Sequence, residues 1–167
     1  FTSLLGNIMT KFPANLLNRL WHSTTPERYK LILETGAILP EPNIPNSSRW
    51  CTSQGEKHYP YVRTLGGVSL FDFTNFDPEE YGKNYSASWF TFVPIDYSGG
   101  NKIWIEINRA LVHSSLIEGK CLVARWEQEK AYGHNIMPII EVAHIGPIYI
   151  SSFTKVIHHI NGEWKEI

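Results

Sequence analysis

Leu20-Trp21-His22-Ser23-Thr24-Thr25-Pro26 is the stretch from which the rest of the chain is read. A large apolar residue, Trp21, is followed by four small or hydrogen-bonding ones. Thr25 is suited to cap a helix through its hydroxyl, and Pro26 fits a first helical position, where its missing N–H is not needed. Tyr29, Ile32 and Leu33 recur at helical spacing and predict one apolar face. Gly36 predicts a left-handed stop. The unit reads as strand, polar turn, short helix and glycine stop, with His22 at the strand end. That histidine has two readings, a ligand-recognition corner or a core histidine satisfied by hydrogen bonds.

Working outward, the 167 residues predict a single domain, 1–167, with residues 1–19 as N-terminal packing helices. Leu4, Leu5, Ile8 and Met9 form one apolar stripe, and Leu16, Leu17 and Leu20 a second after Pro13. Prolines 40, 42 and 45 forbid a helix and predict an extended loop to about residue 60, carrying Arg49, Trp50, Tyr59 and Tyr61. Tyr61–Leu65 reads as a short strand or loop end, and Val68–Phe73 as a strand. Asp77-Pro78-Glu79-Glu80 starts a helix that bears Tyr81. Trp89–Val93 reads as a strand, and Ile103, Ile105 and Ile107 share one face of the next. Arg109–Ile117 reads as a short helix or irregular loop. Met137–Ile145 reads as a strongly apolar strand, and Asn161-Gly162 as a hairpin turn between the last strands. Helices come first and strands later, which predicts an α+β fold with largely antiparallel sheets.

Composition narrows the function classes. The chain is 43% hydrophobic and 13% aromatic, which argues against disorder, and its formal net charge of -1 gives no bulk basic signal for nucleic acid or membrane. No apolar run approaches the ~20 residues that span a bilayer. Cys51 and Cys121 form no metal or disulfide framework, so a reduced, cytoplasmic protein is expected. His158 and His159 are adjacent, so a strand sends them to opposite faces and no metal site is expected. There is no G-x-S-x-G elbow, no G-x-G-x-x-G and no P-loop.

Glu141 is the second informative residue. A carboxylate inside Ile139-Ile140-Glu141-Val142-Ala143 costs several kcal/mol if buried without partners. It either faces solvent with Ile139 and Ala143 on an alternating strand, or is held in a site.

These residues together resemble a known family. Trp21-His22-Ser23-Thr24, the short helix from Pro26 and the Gly36 stop resemble the opening motif of ADP-ribosyltransferases of the diphtheria-toxin and poly-ADP-ribose-polymerase type. Gly67-Val68-Ser69-Leu70-Phe71, followed by a helix bearing Tyr81, is similar to that family's second strand and nicotinamide-stacking tyrosine. Ile140-Glu141-Val142 is similar to the strand of its catalytic glutamate. The likeness covers about residues 20–160 and extends to the DNA-modifying toxin branch, in the long arginine-bearing loop and the closing strands. It implies split antiparallel sheets with N-terminal and flanking helices, and NAD as co-substrate. It implies Glu141 as catalytic residue, with His22, Ser23, Thr24, Ser69 and Tyr81 as NAD contacts. Arg49 or Arg63 would meet the diphosphate, and Tyr85 or Tyr61 are alternatives to Tyr81. Two departures stand out: Ser23 replaces the commoner glycine, and Ile139 stands where arginine-modifying toxins carry a carboxylate or amide. The acceptor implied is a macromolecule, DNA, RNA or protein, with a nucleic-acid base favoured over protein arginine. A toxin or defence role with a neutralising antitoxin would follow. Two alternatives are weighed: an RNA 2′-phosphotransferase-like enzyme using Arg49, Arg63, Arg109 and Arg125, and a non-catalytic binding module presenting Trp50, Tyr59, Tyr61 and Trp89.

Overall fold

The computed structural model describes residues 11–49, 55–85, 87–95 and 100–167. Among them the strands are β1 (Leu20–Thr24), β2 (Ala37–Ile38), β3 (Gly67–Asp72), β4 (Asn101–Ile107), β5 (Leu116–Ile117), β6 (Glu141–Ile145), β7 (Ile148–Tyr149), β8 (Phe153–Ile160) and β9 (Glu163–Glu166). The helices are α1 (Pro26–Thr35), α2 (Tyr61–Thr64), α3 (Pro78–Asn84), α4 (Arg109–Val112) and α5 (Gly119–Gln128). Seven strands form one sheet in the order β5-β6-β3-β1-β4-β8-β9, and β2 pairs with β7. Every pairing is antiparallel, so the class is α+β as expected.

Both faces of the large sheet are covered, and strand alternation sorts them by chemistry. Trp21, Phe71, Trp104 and Ile157 pack with Phe12, Phe73, Tyr81 and Trp89 on an aromatic face. Leu20, Val68, Leu70, Ile103, Ile105, Ile107 and Val142 form an aliphatic face, against which Tyr29 and Ile32 of α1 rest. Trp104 and Glu106 are therefore buried opposite the isoleucines.

The feature that positions the site is a fork. β1 and β3 share only two rungs, Leu20↔Asp72 and Trp21↔Phe71. Beyond them, His22–Thr24 pair only with β4, and Gly67–Leu70 only with β6. The sheet thus opens down its middle, with α1 springing from one tine.

Local reading held at several points. The Thr25 hydroxyl accepts the Arg28 N–H at 3.2 Å, Pro26 opens α1 and Gly36 closes it at φ +81°. Asp77 caps α3, and Asn161 and Gly162 turn β8 into β9 at φ +51° and +79°. Leu33, however, is 47% exposed and leaves the packed face of α1 to Tyr29 and Ile32.

Elsewhere tertiary context overrode the pattern. The second N-terminal stripe shrinks to a 3-10 turn, Ala14–Leu16, because Asn18 takes φ +64° and swings the chain into β1. The stripe of Leu4, Leu5, Ile8 and Met9 lies outside the described residues. Tyr61–Leu65 is not a strand: Pro60 leads into α2. Trp89–Val93 is a 3-10 turn at Trp89–Thr91, not a strand, and Trp89 plugs the aromatic core. Arg109–Ile117 resolves into α4, a 3-10 turn and β5. The apolar run from Met137 becomes a strand only at Glu141, since Ile139 stands at φ +66°.

Candidate functional site

A cavity of about 580 Å³ fills the fork and runs along α1, from Thr25 to Thr35. That is an ordinary size for a small-molecule or cofactor site. His22, Ser23, Thr24, Ser69, Arg49, Arg63 and Glu141 all line it.

Glu141 is 3% exposed, so the buried reading of this residue is the one realised. It begins β6 opposite Phe71 and shares the aromatic face with Ser69, its diagonal neighbour. The Ser69 hydroxyl donates to its Oε2 at 2.5 Å, and the Met137 N–H to its Oε1 at 3.1 Å. Ile139 in the left-handed region, unusual for a β-branched residue, lets the turn before β6 aim that N–H back at the carboxylate. Burial outweighs both hydrogen bonds and pushes the Glu141 carboxyl up to about 7.

His22 projects from the opposite face, by its pairing with Ile105. It is joined to the same serine: its Nδ1–H donates to the Ser69 carbonyl at 3.2 Å, where an unforked sheet would carry a backbone rung. Burial lowers the imidazole to about 4, against the partial support of that bond, and Arg28 lowers it further. The ring is therefore neutral near pH 7, and with Nδ1 occupied its Nε2 is an acceptor. Ser69 thus connects acid and imidazole, through its side chain to one and its carbonyl to the other.

The polar wall continues along β1. The Thr24 side chain is buried, and the Ser23 hydroxyl is buried without a partner. Among the described residues, the charged side chains of the lining other than Glu141 are all cationic. Arg28 and Lys102 join Arg49 and Arg63, with Phe71, Phe92 and Met137 supplying apolar surface. Arg49 donates to Glu41 Oε2 at 2.8 Å and to the Pro40 carbonyl at 3.1 Å. Arg63 grips Glu41 through Nε at 2.7 Å and Nη2 at 3.0 Å, and lies 3.7 Å over the Tyr59 ring.

Tyr81 does not reach the cavity. It is buried in the aromatic face against Tyr85, at 4.7 Å between centroids, and its hydroxyl donates to the Pro138 carbonyl at 2.9 Å. Its place is behind the turn that feeds Glu141. Neither alternative lines the cavity: Tyr61 is buried with its hydroxyl on Glu129, and Tyr85 packs on Tyr81. Among the described residues, Phe71 and Phe92 are the phenyl rings of the lining.

Arg109 is held by Asp72 and Glu118, and Arg125 by Glu129, both away from the cavity. The His158 Nε2–H donates to Asn101 Oδ1, while His159 stacks on Trp164 at 4.0 Å, on the other face. Among the described residues no cluster of three or more His, Cys, Asp or Glu could hold a metal, and no helix is long and apolar enough to cross a membrane. Arg28 and Lys102 were not singled out in the sequence. Arg28 carried a signal in hindsight, since it lies on the first turn after the Thr25 cap; Lys102 looked like any strand lysine. No family model matches the chain, and neither a curated protein nor a solved structure does.

Proposed function

We propose that the protein is an NAD-dependent ADP-ribosyltransferase that moves ADP-ribose to a macromolecular acceptor and releases nicotinamide. The observation that carries this reading is the Ser69 link, which holds a buried carboxylate and a neutral imidazole in one cavity walled by arginines.

Scission of the bond between nicotinamide and the ribose C1′ leaves the electron pair on nicotinamide and develops positive charge on the sugar. A carboxylate withdrawn from water suits that charge, because a low dielectric strengthens their attraction. Glu141 fills this role once ionised. The positive charge of the nicotinamide ring in bound NAD favours that ionisation. The acceptor then bonds to C1′, and its proton leaves through the Glu141 carboxylate. His22 Nε2 accepts a hydrogen bond from a ribose hydroxyl, and the backbone of Ser23 holds the carboxamide, with Thr24 beside it. Arg49 and Arg63 suit the diphosphate, since a planar guanidinium matches phosphate oxygens in pairs. Phe92 or Phe71 takes the apolar contact with the ring that Tyr81, buried behind the turn, does not offer.

The decisive experiment incubates the chain with labelled NAD and separate pools of DNA, RNA and protein. Label in one pool, lost in Glu141→Ala while that variant stays folded, supports the reading; undiminished NAD cleavage in the variant removes it. The phosphotransferase alternative keeps Arg49 and Arg63 but loses Arg109 and Arg125, and a 2′-phosphorylated RNA substrate tests it. The binding-module alternative is weakened, because Tyr61 and Trp89 are 1% and 4% exposed; Tyr59 is half-buried, and Trp50 lies outside the described residues.

A further inference from the structure

The two arginines expected to meet phosphate share one carboxylate, and their burial is lopsided. The side chains of Arg49 and Arg63 are 15% and 11% exposed, whereas that of Glu41 is 60% exposed. The cations are built into the cavity wall, and the anion reaches in from outside. A glutamate whose two oxygens sit on Arg63 Nε and Nη2, with Arg49 on one of them, reproduces the paired geometry by which guanidinium groups take phosphate. Glu41 does not use up the site's donors: Arg63 Nη1 is buried without a hydrogen-bond partner. Asn46 and the Tyr59 ring hold Arg63 in place independently of Glu41. The site therefore keeps its shape when the carboxylate leaves.

We propose that Arg49 and Arg63 form a diphosphate-binding site for which Glu41 is a resident competitor, displaced when a phosphorylated ligand enters the cavity. The exposed carboxylate regains water when it leaves, and the cost of uncovering two largely buried guanidinium groups is met only by an anion that takes its place. A diphosphate brings more charge and more acceptor oxygens than one carboxylate, enough to meet both guanidinium groups. Glu41 thus lowers affinity for anions in general and admits those that present two linked phosphates. The inference rests on the NAD reading for the natural ligand, though not for the anion site.

The test titrates inorganic pyrophosphate calorimetrically into the full chain, its E41Q variant and an E34Q control, which makes the same charge change in the last turn of α1. E41Q should bind pyrophosphate about tenfold tighter than the native chain, E34Q within about twofold, and Arg63→Gln placed on E41Q should cancel the gain. A gain in E41Q no larger than in E34Q, or a loss, overturns the proposal. If E41Q does not fold, Glu41→Ala is read the same way, and failure of both to fold shows Glu41 to be a structural brace and overturns it too. NAD titrated in parallel separates the two readings. A pyrophosphate gain with no NAD binding in either protein removes the NAD reading alone, whereas NAD binding with no pyrophosphate gain removes the competitor alone.

Discussion

Ser69→Ala is the sharpest probe of the site, because it deletes one donor and leaves the backbone bond from His22 in place. Glu141 has its carboxyl at about 7 with that hydroxyl present. A hydrogen bond to a charged group contributes about 1.5–3 kcal/mol, and one pKa unit corresponds to about 1.4 kcal/mol. The serine hydroxyl also bonds to the protonated acid, so the lower half of that range applies. Losing it should raise the Glu141 pKa by about one unit, towards 8. The direction is fixed: a donor favours the ionised form, and its removal favours the proton. If ionised Glu141 drives nicotinamide release, the rising limb of kcat/KM against pH, near 7 in the native enzyme, should move about one unit to higher pH. A titration of 13C-labelled glutamate followed by NMR reads the same shift without relying on activity. A carboxyl resonance that titrates at an unchanged or lower pH in Ser69→Ala would refute the reasoning, whatever happens to the rate.

Glu141→Gln should abolish transfer and raise thermal stability at pH 8, because the native carboxyl binds its proton more tightly folded than unfolded. That preference costs stability progressively as pH rises from about 4.5 to about 7, on the order of 3 kcal/mol in full. Urea denaturation at pH 5 and pH 8 measures it, and an equal effect at both pH values speaks against it. His22 has the opposite sign: its lowered pKa withdraws stability as pH falls from 6.5 to about 4, so His22→Asn should flatten the acid limb of the same curve. Gly119→Ala would bring a Cβ to 2.4 Å from the Ile139 carbonyl, in the turn that feeds Glu141. It should cost about 2 kcal/mol or more of unfolding free energy and slow NAD cleavage together; a neutral result in both assays contradicts the packing described. Thr25→Ala should cost about 1 kcal/mol through the lost cap of α1, read as a lower Tm.

The strand–cap–helix unit around His22 was legible because each signal is local: a hydroxyl before a proline, then a glycine ten residues past it. Of the expected His–Tyr–Glu order, His22 and Glu141 share one cavity with Ser69, whereas Tyr81 does not line it. Three things were out of reach. The fork depends on where the β1–β3 ladder ends, and nothing in Trp21 or Phe71 announces that the next rung is missing. Ile139 reads as a strand residue in an apolar run, and only packing against Gly119 turns it into the pivot that exposes the Met137 N–H to Glu141. Tyr81 falls at the expected place in the chain, yet Tyr85 and Phe76 draw it into the core. Glu41 looked like a loop residue because its two arginine partners are 8 and 22 positions away.

The early parting of β1 from β3 has a bearing on solubility. A strand that lacks a neighbour ordinarily invites strangers to zip onto it and seed aggregates. Here the unfinished seam lies within the sheet, flanked by its other half and backed by the buried Gly67 and Val68.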